Sequence, residues 1–143
     1  MKWDKLFGKP GSSRIDSFES VLLRTSGMRG STEYEVLKRD GKAVVSQYGI
    51  RYKNGKDERV LEERAACSEA RMLELLNACR LLSWDGFDGK HPKGVLDGTM
   101  FRLRASVNGG TKISAQGSEN FPKHYRDFTG GLYEILREDS AVK

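Results

Sequence analysis

From Phe18 to Ala66 the apolar residues fall in short strand-like runs separated by turn-forming residues. Phe18 to Thr25 forms the first run. In Glu33 to Arg39, Tyr34 and Val36 face one way while Glu33 and Glu35 face the other. This period of two is that of a half-buried strand. Ala43 to Tyr52 and Arg59 to Ala66 complete a set of four strands. Asp40-Gly41 and Asn54-Gly55 lie between neighbouring runs, and both pairs tolerate the positive φ that tight hairpins require. The reading is an antiparallel meander.

The period then changes. Met72, Leu75, Leu76, Cys79 and Leu82 recur at spacings of three and four, which predicts a helix. Ser68 is its expected N-cap, and Glu69 suits the positive end of the helix dipole. Its end is expected near Ser83-Trp84. A Gly- and Asp-rich loop over 85–98 follows. Met100 to Val107 then alternates Phe101, Leu103, Ala105 and Val107 against Arg102, Arg104 and Ser106. Asn108-Gly109-Gly110 turns the chain into Thr111 to Gln116. Pro122 is suited to the first turn of a last helix, with a stripe of Phe121, Tyr125, Phe128, Leu132, Ile135 and Leu136. Gly130-Gly131 weakens that helix unless close contact with the sheet or a local break requires them.

The expected order is β-β-β-β-α-β-β-α. The expected fold is α+β, an antiparallel sheet with both helices on one face, so that each helix buries its stripe against the strands. Residues 1–16 are assigned to a flexible leader and 17–139 to a single domain. Trp3, Leu6 and Phe7 of the leader are apolar at helix spacing, before a polar breaker cluster at Lys9 to Ser13.

At 143 residues the chain has the usual size of one domain. No segment has the run of about 18 apolar residues that spans a membrane, and Met1 to Pro10 lacks the apolar core of a secretory signal. A cytoplasmic location is the expectation. Two cysteines, Cys67 and Cys79, read as buried thiols rather than a disulfide or a zinc site.

The net charge of +5 is spread unevenly. Residues 17–64 carry ten basic and eight acidic residues, a mixed solvated surface. Residues 98–118 carry Arg102, Arg104 and Lys112 and no acid. These three form the candidate anion-binding site, since phosphate contacts need such charges. Phe101 falls on the opposite, buried face, which counts against stacking of single-stranded bases there.

Asp85, Asp88, His91 and Asp97 form the candidate loop site. Hard cations take oxygen ligands. The calcium-loop spacing is absent, however, and Asp beside Gly has a plain turn role. His91 precedes a proline and His124 adjoins Lys123; neither has a sequence partner for general-base work. No phosphate loop or nucleophile elbow is present. No catalytic, cofactor-binding or metal-ligating residue is assigned, and no cofactor is expected.

The run Trp84-Asp85-Gly86-Phe87-Asp88, then Val95-Leu96-Asp97-Gly98, Phe101-Arg102-Leu103, Lys112 to Gly117 and Phe121-Pro122-Lys123-His124-Tyr125 resembles a family of small uncharacterised bacterial α+β proteins. The resemblance covers about residues 70–137. It implies a bacterial source and an α+β domain, and attaches no function to any residue. The leading expectation is a non-enzymatic domain that binds a protein or another ligand through its sheet surface or loop 85–98. A nucleic-acid-binding module on Arg102, Arg104 and Lys112 competes with it. So does a metal-dependent enzyme using Asp85, Asp88, His91 and Asp97. Oligomeric state is left open.

Overall fold

A computed structural model describes residues 14–28, 30–94 and 98–142, the last four by their backbone alone. The elements are β1 (Phe18–Gly27), β2 (Gly30–Arg39), β3 (Lys42–Lys53), β4 (Lys56–Ser68), α1 (Glu69–Ala78), β5 (Asp88–Gly89), β6 (Met100–Val107), β7 (Thr111–Ser118) and α2 (Tyr125–Val142). They form one sheet in the order β4-β3-β2-β1-β6-β7-β5. All neighbours are antiparallel except β5, which pairs with β7 in parallel. The fold is the expected α+β arrangement, with one two-residue strand added from loop 85–98.

The hairpins form where the turn chemistry allows. Asp40 and Asn54 adopt φ of 51° and 52°, each followed by a glycine at positive φ, which is the turn that matches strand twist. The β6–β7 turn repeats this at Asn108, φ 51°.

Val21, Leu23, Val36, Val45, Leu103, Ala105 and Ile113 point to one face of the sheet and are buried there. Both helices pack on that face. Met72 and Leu76 of α1, Cys79 at its C-cap, and Phe128, Leu132, Ile135 and Leu136 of α2 close the core. Each large side chain taken fully from water stabilises the fold by about 1.5–3 kcal/mol. Among the described residues Trp84 is the largest that is fully buried. Its ring meets Phe128 edge-on at 5.7 Å and Tyr125 at 6.0 Å, while its Nε1–H donates to the Cys79 carbonyl at 3.2 Å.

Four sequence expectations change. First, α1 stops at Ala78, because Arg80 takes a left-handed φ of 53°; a short 3-10 turn, Leu81–Trp84, then carries Trp84 into the core. Second, α2 begins at Tyr125, not at Pro122, because His124 immediately before it has a φ of 72°. Third, the expected leader reaches too far. Residues 1–13 lie outside the described residues, but Ile15 is fully buried in the core. The Asn77 side chain binds both the N–H and the carbonyl of Ile15, at 2.8 and 2.9 Å. Asn108 similarly accepts from the N–H of Asp16 and donates to the carbonyl of Arg14. Fourth, Gly131 faces α1 rather than the sheet: a Cβ there would lie 2.5 Å from Leu75 Cδ1, whereas one on Gly130 would meet nothing within 4 Å.

Ser68 caps α1 as expected, accepting from the Arg71 N–H at 3.1 Å. Arg71 does not stand free in solvent. It grips Glu138 of α2 with both terminal nitrogens, one contact at 2.8 Å, tying the two helices together. Cys79 is buried and Cys67 half-buried, both as free thiols.

Candidate anion-binding cleft on the open sheet face

Among the described residues no helix covers the second face of the sheet, and its alternate positions form transverse rows fixed by the register. One row runs Asp88 (β5), Gln116 (β7), Arg102 (β6), Arg24 (β1), Glu33 (β2), Tyr48 (β3) and Leu61 (β4). Two arginines therefore stand directly opposite each other on adjacent strands. Like charges in that relation destabilise a sheet unless something neutralises them.

Most charges on this face are matched. Arg24 Nη2 reaches Asp57 Oδ2 at 3.1 Å, although Asp57 lies on β4, three strands away. At about 4.8 Å per strand a flat sheet would not allow that contact. The β3–β4 hairpin extends past the end of β2 and bends over the open face. Arg59 donates to Glu33 at 3.0 Å, lies 3.6 Å from Glu35, and stacks on the Tyr48 ring at 3.8 Å. Arg64 donates to Ser46 at 2.8 Å and to the Tyr48 hydroxyl at 3.2 Å. Glu33 and Ser46 are buried on an otherwise uncovered face because these long side chains lie over them.

Arg102 and Arg104 differ. Both are exposed, and among the described residues neither has a hydrogen-bond partner or an acid within ion-pair distance. Arg102 lines a cleft of about 390 Å³ with Arg24, Ser26, Met100, Gln116 and Ser118, closed at one end by Asp88. Phe101 and Gly117 contribute to its floor.

The structure brings the basic candidates onto one face but not to one point. Arg102 lines the cleft, and Arg104 follows one register step along β6. Lys112 lies farther along, opposite Ser106, with Nζ 3.4 Å from its hydroxyl. The loop candidates disperse. Asp85 accepts the Ser114 N–H at 2.9 Å and so caps the edge of β7. Asp88 meets Gln116 Nε2 at 3.5 Å, and His91 Nδ1 lies 2.7 Å from the Ser118 hydroxyl. Asp97 lies outside the described residues. Among the described residues no three His, Cys, Asp or Glu side chains come together to hold a metal ion. His124 Nδ1 lies 3.0 Å from Asp127 Oδ2 at the start of α2 and does not line the cleft.

Sequence reasoning missed Arg24, Gln116, Ser26 and Ser118. Each occupies an outward position of an alternating strand, which was readable. Their convergence depends on β1 pairing with β6, and no local signal announces that pairing. No protein-family model matches the chain and no curated protein is similar to it. No helix among the described residues is long and apolar enough to cross a membrane.

Proposed function

We propose that this protein is a non-enzymatic binding domain whose helix-free sheet face recognises an anionic ligand at the Arg24–Arg102 cleft. One observation carries the reading: of two arginines directly opposite on adjacent strands, Arg24 is paired with Asp57, whereas Arg102 is left unneutralised at the cleft wall. A charge-assisted contact to an incoming anion would relieve that arrangement. Exposed apolar residues on the same face, Met100, Tyr52 and Leu61, support a recognition role for it.

A nucleic-acid track across the face is less well supported. Glu33 stands between the Arg24–Arg102 pair and Tyr48, and the Tyr48 ring is already occupied by Arg59. The test is titration of the full chain with inorganic phosphate, citrate, an oligoglutamate peptide and a mixed-sequence oligonucleotide at low salt. Saturable binding of at least one probe, lost in R102E and retained in R14E, is the expected result. No binding by any probe, or equal binding by R102E, overturns the proposal.

A further inference from the structure

The cleft holds a second unmatched charge. Asp88 is exposed at its β5 end, and among the described residues the one hydrogen bond of its side chain is the long contact to Gln116. Among the described residues it has no cation within ion-pair distance. It shares a transverse row with Arg102, and Gln116 of β7 stands between them. The sheet thus holds an uncompensated carboxylate and an uncompensated guanidinium two strands apart, about 9–10 Å between backbones. They face one cleft without pairing to each other.

A ligand that brought only negative charge would gain at Arg102 and lose at Asp88. A divalent cation would find one carboxylate beside two arginines. The arrangement favours a molecule with both charges, and the amide of Gln116 can donate and accept between them. A volume of about 390 Å³ suits a small molecule rather than a polymer chain.

We infer that the cleft takes a small zwitterionic molecule, its anionic group on Arg102 and its ammonium group on Asp88, with Gln116 between. This rests on the anionic-ligand reading of the same cleft. Recognition is by separation: the ammonium must stand far enough from the anion to span Gln116, so reach along the ligand decides affinity.

The test pairs each ω-amino acid with the acid that lacks only the amine: 4-aminobutyrate with butyrate, and 6-aminohexanoate with hexanoate. Wild type, D88N and R102Q are titrated as full chains by amide chemical-shift perturbation. In wild type at least one amino acid is expected to bind about tenfold more tightly than its matched acid, the scale of one charge-assisted contact. D88N abolishes that advantage without weakening the plain acid, and R102Q weakens both. Equal affinity within both pairs, with R102Q still weakening them, overturns the zwitterion and leaves the anion site standing. An amine advantage that survives in D88N likewise overturns it. No binding by either member, or binding indifferent to R102Q, removes the anionic reading as well.

Discussion

Leu75 of α1 occupies the space that a side chain on Gly131 of α2 would need, its Cδ1 2.5 Å from the ideal Cβ position. The helices approach closely because one of them has no side chain at the crossing. Alanine at an exposed helical glycine gains about 0.5–1 kcal/mol, so G130A, which meets no atom within 4 Å, should raise stability by that amount. G131A sets the same gain against overpacking of about 1–3 kcal/mol. Urea unfolding should place G131A below G130A. Combining G131A with L75A should show favourable coupling above about 0.5 kcal/mol.

Arg59 should matter more to stability than an exposed arginine usually does. Its guanidinium is the ion-pair partner of Glu33, whose side chain is only 11% exposed. Replacing Arg59 by leucine leaves that carboxylate poorly solvated and should cost about 1–3 kcal/mol. E33Q on the R59L background should recover part of the loss, because a neutral amide is cheaper to bury. Thermal unfolding of the two variants checks this, and an R59L value within error of wild type would contradict it.

Burial pushes the Cys79 thiol up to about 11 from an ordinary value of 9.0. The folded state therefore holds the proton more tightly than the unfolded chain. The sign follows: the contribution is fully present below about pH 9 and is lost as pH rises toward 11. Stability should fall over that window, less steeply in C79A than in wild type. Tyr125 and Tyr34, also raised by burial first of all, add to the decline at the upper end. At pH 8 Cys79 should react with a thiol reagent only after unfolding. Rapid labelling of Cys79 in the native protein would contradict its burial.

The Tyr125 hydroxyl is buried with no hydrogen-bond partner among the described residues. Its ring nevertheless packs on Phe101 and Phe121 at 5.0 and 4.6 Å. An unsatisfied buried polar group costs about 1–3 kcal/mol. Y125F should thus be neutral or stabilising, whereas Y125A should lose about 3–5 kcal/mol by emptying the aromatic cluster. Chemical denaturation of both variants separates the ring from its oxygen.

Local signals made much of the fold legible. Asp40-Gly41 and Asn54-Gly55 named their hairpins because few other residue pairs accept left-handed backbone at both positions. The stripes of both helices were readable from spacing. The end of α1 was not: Arg80 sits left-handed only because Leu81 and Trp84 are drawn into the core, a tertiary demand that overrides propensity. The cleft was half legible. Alternation placed Arg102 outward, but its neighbour Arg24 lies 78 positions earlier, and only the β1–β6 register joins them. Ile15 was read as leader for a related reason. The Asn77 amide that holds it, and the Asn108 amide that holds its neighbours Arg14 and Asp16, come from distant parts of the chain.

The two edges of the sheet end differently. Residues 85–89 close the β7 edge, where the Gly86 N–H donates to the Ser114 carbonyl at 2.9 Å and Phe87 accepts from Gln116. Among the described residues the β4 edge has no strand beyond it. It carries the extra residue Glu62 between the pairs Gln47–Glu63 and Tyr48–Leu61, and Glu62 is held by Gln47 at 3.0 Å. That irregularity, with charges on both sides of it, breaks the straight row of donors and acceptors a neighbouring chain would need for lateral polymerisation. The bulge at Glu62 thus guards this edge as well as shaping the strand. Deleting Glu62 should straighten this margin and favour edge-to-edge pairing between copies of the chain, seen as faster aggregation on incubation.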